Sequence, residues 1–197
     1  MIYRKITVRF KDEPKRFYRQ MYIRQDLDLF TLGVAILTAL GATFEHYFMY
    51  IAGRKRYLPE NFEEYDIEEE VFMSNFFLLD LPQKFLLEYD TGDGWDFEVS
   101  VSPTPYVIRS REFAMIIKGA GQGIWEDNIR ALYAYFSGRV SGETVAEDED
   151  LGVYPPWNFS IEKYSDFDNP LDIDALNDTL QDEIIENLKR LEENDVF

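Results

Sequence analysis

Residues Phe85-Leu86-Leu87-Glu88-Tyr89-Asp90-Thr91-Gly92-Asp93-Gly94-Trp95-Asp96-Phe97-Glu98-Val99-Ser100-Val101 carry the clearest structural signal in the chain. Phe85, Leu87 and Tyr89 recur at period two, and so do Trp95, Phe97, Val99 and Val101. Period two is strand spacing. Thr91-Gly92-Asp93-Gly94 lies between the two runs, and its Asp-Gly pair supplies the positive φ that a tight hairpin turn needs. The segment is therefore read as two antiparallel strands joined by an acidic turn.

Towards the N-terminus the same period marks Ile6, Val8 and Phe10, and then Phe17, Arg19, Met21 and Ile23. Asp28 is placed to cap a helix that runs to Leu40 on the stripe Leu29, Leu32, Ile36 and Leu40. Gly41 suits a left-handed stop. Phe44 to Ile51 reads as a third strand. Leu58 to Glu70 reads as an acidic loop with a short strand, and Met73 to Leu81 as a short helix ended near Pro82. Towards the C-terminus, Val107-Ile108 and Phe113 to Ile117 read as further strand. Trp125 to Phe136 has helical spacing, and Ser137 to Trp157 reads as a long loop. Asn169, Pro170 and Asp172 have the order of a helix start, so a last helix is expected over about 170–193 on the stripe Ile173, Leu176, Leu180, Ile184, Leu188 and Leu191. The expectation is one α+β domain over residues 1–197, an antiparallel sheet of five or six strands packed with three or four helices.

Composition narrows the function classes. The chain has 197 residues, 46% of them hydrophobic, and no cysteine. Disulfides, thiolate zinc sites and cysteine nucleophiles are thereby excluded. No apolar run approaches the length of a membrane helix, and the N-terminus alternates like a strand, so a cytoplasmic location without membrane attachment is expected. The net charge is −18. It is unevenly spread: residues 1–57 hold 11 Lys/Arg against 5 Asp/Glu, and residues 58–197 hold 9 against 33. An acidic chain repels phosphate backbones at long range. Nucleic acid is thus a disfavoured partner unless Arg4, Arg9, Arg19 and Arg24 share one face.

Few residues carry the pattern of a reactive site. His46 is the one histidine, and can act as base, ligand or structural group. Asp90, Asp93, Asp96 and Glu98 crowd the hairpin, a density that can hold Ca²⁺ or Mg²⁺, though the spacing departs from the calcium loop. Gly119-Ala120-Gly121-Gln122-Gly123 stands between a strand and a helix, like a dinucleotide turn, but position 124 is Ile where a third glycine belongs. No cofactor is expected from it. Glu126 and Asp127 follow where a helix begins, and the helix dipole explains them without a ligand.

This order of motifs resembles the plasmid pRiA ORF-three-like family, also labelled insertion-element passenger TnpR-like. Tyr89-Asp90-Thr91-Gly92-Asp93-Gly94-Trp95 is similar to that family's Tyr-Asp-x-Gly-Asp-x-Trp. Phe44-Glu45-His46-Tyr47-Phe48, Gly119-x-Gly121 and Glu126-Asp127 are similar to further family segments, and the tail from Phe167-Asp168 through Asn177 and Leu180 resembles the family's ending. Phe97 replaces a histidine usual in the family, Ile124-Trp125 replaces two prolines, and the family's cysteines are missing. The resemblance implies an α+β fold with an antiparallel sheet and implies little about activity. A serine recombinase is not supported, because the segment Tyr3-Arg4-Lys5-Ile6-Thr7 has no serine. The resulting reading is a non-enzymatic binding or accessory module, associated with mobile elements, whose partner is a protein. Its site would lie at His46, Asp90, Asp93, Trp95, Gly119, Gly121, Glu126 and Asp127. One alternative is a nucleic-acid accessory factor using the basic N-terminal third; the other is a carboxylate-based metal-dependent hydrolase, with His46 as base or ligand. It requires His46, Asp90, Asp93, Glu126 and Asp127 to converge.

Overall fold

The computed structural model describes residues 1–60, 70–138 and 167–193. The elements in chain order are β1 (Ile2–Phe10), β2 (Tyr18–Arg24), α1 (Leu29–Ala39), β3 (Phe48–Ala52), β4 (Lys55–Leu58), β5 (Glu70–Phe72), β6 (Lys84–Tyr89), β7 (Trp95–Val107), β8 (Ala114–Ala120), α2 (Ile129–Phe136) and α3 (Ile173–Glu193). The strands form one sheet in the order β5-β4-β3-β6-β7-β1-β2-β8. The β6–β7 hairpin lies at its centre, with Tyr89 opposite Trp95, Leu87 opposite Phe97 and Phe85 opposite Val99. The alternation read from the sequence is the real one: these six side chains face the core and are buried.

The class is α+β, as expected, with more strands than the five or six foreseen. Two of the additions, β4 and β5, span only four and three residues, too short to show a period. They pair in parallel, so the sheet is mixed rather than purely antiparallel. The expected third strand begins later than Phe44, at Phe48. Phe44 instead adopts a φ of 61°, a conformation no strand tolerates, and His46 lies in a bend ahead of the strand. The expected helix over Met73 to Leu81 is two single 3₁₀ turns, Met73–Asn75 and Leu78–Asp80, separated by extended backbone at Phe76 and Phe77. Most of the expected loop from Ser137 to Trp157, like the segment 61–69, lies outside the described residues.

Helix α1 begins and ends where its sequence places it. Asp28 Oδ1 accepts the Thr31 N–H at 2.8 Å, and Gly41 closes the helix at a φ of 79°. Its apolar stripe was read as one-sided, yet every residue from Leu32 to Ala39 is buried. The reason is that α1 is sandwiched between the inner face of the sheet and α3. Helix α3 starts at Ile173; its cap is Asp172, three residues later than Asn169, with Oδ1 accepting the Ala175 N–H at 3.0 Å. Leu180, Ile184 and Leu191 bury the α3 stripe.

Helix α3 also covers a sheet edge. Strand β8 is the terminal strand, and its outward-facing peptide groups would otherwise be open to pairing. The Asn177 side chain accepts the Ile116 N–H and donates to the Ile116 carbonyl, both at 2.8 Å. Gln181 accepts the Phe113 N–H at 2.7 Å.

Arg19 is on the inner face of β2, opposite Val8, and is 1% exposed. Arg24 is on the other face and pairs with Asp26 at 2.8 Å. The four arginines of the basic N-terminal third therefore do not share one face, which removes the arrangement on which phosphate-backbone binding was premised.

Candidate functional site

Three connections meet at one end of the sheet. The first runs from α1 to β3 and carries Thr43, Phe44 and His46. The second is the hairpin turn after β6, with Asp90 and Asp93. The third joins β8 to α2 and carries Glu126 and Asp127. They are held together by main-chain bonds: Asp90 N–H to the Tyr47 carbonyl at 3.0 Å, and Ile124 N–H to the Leu40 carbonyl at 2.9 Å. Three non-glycine residues among those described have positive φ, namely Phe44 (61°), Asp90 (52°) and Asp127 (55°). All three lie in these connections. Such conformations cost free energy, and they persist where surrounding structure enforces them, often at binding sites.

The effect is to bring His46, Asp90 and Asp127 together. One ligand atom from each lies within 4.8 Å of the other two. His46 Nε2 is 2.8 Å from Asp127 Oδ1 and 3.6 Å from Asp90 Oδ2. Asp90 divides its two oxygens. Oδ1 accepts the Gly92 and Asp93 N–H groups at 3.0 and 3.2 Å and builds the turn; Oδ2 is left facing the imidazole. The side chain of Asp90 is 6% exposed, against 32% for His46 and 55% for Asp127. The cluster therefore has a buried floor and an open mouth.

Electrostatics follow from this crowding of carboxylates. Burial pushes the His46 imidazole towards its neutral form. The hydrogen bond to Asp127 and the charges of Asp90, Asp127 and Glu126 together outweigh burial, so its pKa lies above the ordinary value. Burial raises the Asp93 carboxyl; the Ile129 N–H opposes this, while Asp90 and Asp127 add to the rise. Asp93 is not part of the cluster: its Oδ2 accepts the Ile129 N–H at 3.0 Å, at the start of α2.

Glu126 forms the layer behind. It is fully buried. Tyr89 Oη donates to its two oxygens at 3.0 and 3.1 Å, and the Thr43 N–H donates to Oε1 at 2.7 Å. Burial raises the Glu126 carboxyl, and the bonds from Thr43 and Tyr89 oppose that rise without cancelling it. Glu126 and Asp127 lie outside the first turn of α2. They precede α2, whose cap is Asn128, its Oδ1 accepting the Ala131 N–H at 3.1 Å.

The other sequence candidates lie elsewhere or serve the core. Trp95 is fully buried, stacked on Phe97 and 5.3 Å from Phe10 between ring centroids. Its indole N–H has no hydrogen-bond partner among the described residues. Gly119 sits within β8 opposite Arg19, where a Cβ would lie 2.8 Å from Leu171 Cδ1 and 2.9 Å from Arg19 Cδ. Gly121 has a φ of 78°, and a Cβ there would come within 2.9 Å of Phe17, Phe167 and the Arg16 carbonyl. These glycines permit close packing. Sequence reasoning missed Thr43 and Tyr89 as partners of Glu126. Tyr89 was visible, but its period-two position suggested packing alone. It missed Arg19 too, although the alternation placed that residue on the apolar face.

Comparison with known proteins adds fold and family. Among curated proteins none matches this chain. The crystal structure of a protein of unknown function from Methanosarcina mazei Go1 is similar, with a TM-score of 0.56 and 16% identity over 83% of this chain and 98% of the other. At that identity the likeness establishes a shared fold. The sequence match to a family runs from residue 3 to 165. It takes in all three connections and stops before Phe167, so the tail that resembled the family's ending lies beyond it. The family's description names a plasmid reading frame and no activity. With most of its length matched, the chain belongs to the plasmid pRiA4b ORF-3-like protein family, a family of unknown function.

Proposed function

We propose that this protein is a divalent-cation-binding module, with the ion held by His46 Nε2, Asp90 Oδ2 and Asp127 Oδ1. The observation that carries the reading is the separation of those atoms. Tetrahedral zinc with bonds of about 2.0–2.1 Å has neighbouring ligands about 3.3 Å apart. The imidazole-to-carboxylate distances of 2.8 and 3.6 Å bracket that value. One imidazole and two carboxylates suit zinc, manganese or cobalt; calcium prefers six to eight oxygens. Three protein ligands beneath an open mouth leave a coordination position for water or an exogenous oxygen, the arrangement of catalytic zinc rather than structural zinc. A hydrolytic role through that position is the extension of the reading.

Thermal-shift titration tests it. An ion at about 100 times its dissociation constant adds about 2.7 kcal/mol of stability, a rise of several degrees for a chain of this length. The rise should be saturable with Zn²⁺, Co²⁺ or Mn²⁺ and weak with Ca²⁺. Asp90→Asn keeps the Oδ1 acceptor of the turn and removes the ligand charge, so it should abolish the rise while the variant stays folded. Protonated imidazole cannot ligate, and the His46 pKa is raised, so the rise should fade on acidification from above the ordinary histidine value. The metal-free chain should behave oppositely. Its His46–Asp127 pair stabilises the fold at pH below the unfolded histidine pKa, and that contribution is lost as pH climbs through the raised folded value. The absence of any ion-selective shift would remove the proposal.

A further inference from the structure

The hydrogen bonds of Glu126 have a pattern beyond simple satisfaction of a buried carboxylate. Its two partners and Glu126 itself each lie in, or immediately before, a connection that supplies one ligand. Thr43 lies three residues before His46, Tyr89 immediately before Asp90, and Glu126 immediately before Asp127. One carboxylate therefore ties all three connections from behind, by the Thr43 N–H at 2.7 Å and the Tyr89 hydroxyl at 3.0 and 3.1 Å. It is not part of the cluster of His46, Asp90 and Asp127, and both its oxygens are already engaged by Thr43 and Tyr89. We infer that Glu126 is a positioning residue, whose contacts set the separation of His46, Asp90 and Asp127. This rests on the cation-binding reading for its consequence and on the hydrogen-bond geometry for its mechanism.

The two parts can be tested separately. Outer-layer partners of metal ligands typically change affinity by about 10- to 100-fold when removed. Glu126→Ala should therefore weaken Co²⁺ binding by at least about 10-fold and alter the cobalt ligand-field spectrum, which reports coordination geometry. Glu126→Gln should restore both. Its amide oxygen still accepts from Thr43, and its NH₂ can donate to the Tyr89 oxygen. Tyr89→Phe cuts one link without removing the carboxylate and should give an intermediate loss; it also serves if the alanine variant does not fold.

A second readout needs no metal. His46 is the one histidine, so proton NMR gives a single set of imidazole signals. In the wild type these should move when Asp127 is changed to Asn. In Glu126→Ala or Tyr89→Phe they should shift towards free-histidine positions and lose part of that sensitivity, and in Glu126→Gln they should not. Imidazole signals and Asp127 sensitivity unchanged in both Glu126→Ala and Tyr89→Phe would overturn the inference. Lack of cobalt binding in the wild type, with the NMR pattern as expected, would overturn the cation reading and leave the positioning role standing.

Discussion

Arg19→Ala is expected to destabilise the fold by about 3–5 kcal/mol, a fall in Tm of roughly 10 °C for a chain of this size. Arg19 is buried with no carboxylate beside it among the described residues. Its guanidinium donates instead to four carbonyls: Ala39 at 2.9 Å, Tyr18 at 3.0 Å, Ala120 at 2.8 Å and Gln122 at 3.3 Å. Burial lowers its pKa to about 9, which still leaves it charged at neutral pH. Desolvating such an ion costs several kcal/mol. Four hydrogen bonds from a charged donor, each about 1.5–3 kcal/mol, offset this. The Ala39 carbonyl is at the C-terminal end of α1, where a cation is favoured. Alanine would remove the charged donor from those carbonyls and open a cavity. Arg19→Lys should recover only part of the loss, since an ammonium cannot span acceptors spread around a planar fork. Chemical denaturation of the three proteins checks this, and a loss below 1 kcal/mol for the alanine variant would refute it.

Gly33→Ala should be destabilising by about 2–3 kcal/mol, against the direction of helix propensity. In an exposed helix this exchange gains about 1 kcal/mol. Here the added Cβ would lie 2.1 Å from Phe48 Cε2 and 2.6 Å from Cζ. The ring cannot swing aside, because it is buried, stacked on Phe30 at 5.9 Å and edge-on to Tyr50 at 6.2 Å. Overpacking of this kind costs about 1–3 kcal/mol, and the overlap here is at the severe end. The double variant Gly33→Ala, Phe48→Leu should be more stable than the sum of the single losses predicts, by about 1 kcal/mol or more. Strict additivity would show that the ring is not what α1 meets.

Both predictions depend on features of unequal visibility in the sequence. The hairpin was legible because alternation and an Asp-Gly turn agree, and the ends of α1 because Asp28 and Gly41 act through local bonds. Strands β4 and β5 were not, since they are short and owe their existence to neighbours in the sheet. The conformation of Phe44 was invisible: nothing in a phenylalanine favours a left-handed backbone, so the bend that presents His46 is imposed by its surroundings. For the site, each acidic residue could be named in advance but its task could not. Asp90 and Asp127 face the imidazole, Asp93 meets the start of α2, and Glu126 is sealed behind them. That division depends on which of three distant segments each side chain meets.

The edge of β8 bears on how the chain is kept from its own copies. Asn177 and Gln181 occupy peptide groups that a neighbouring strand would take, and the helix carrying them begins at Ile173, beyond the family match that ends at residue 165. Helix α3 thus works as a resident guard against self-templating. A chain cut after the matched region would retain the residues of the candidate site yet lose both the edge cover from Asn177 and Gln181 and the packing of α3 on α1, so it would be less stable and open to pairing with its own copies.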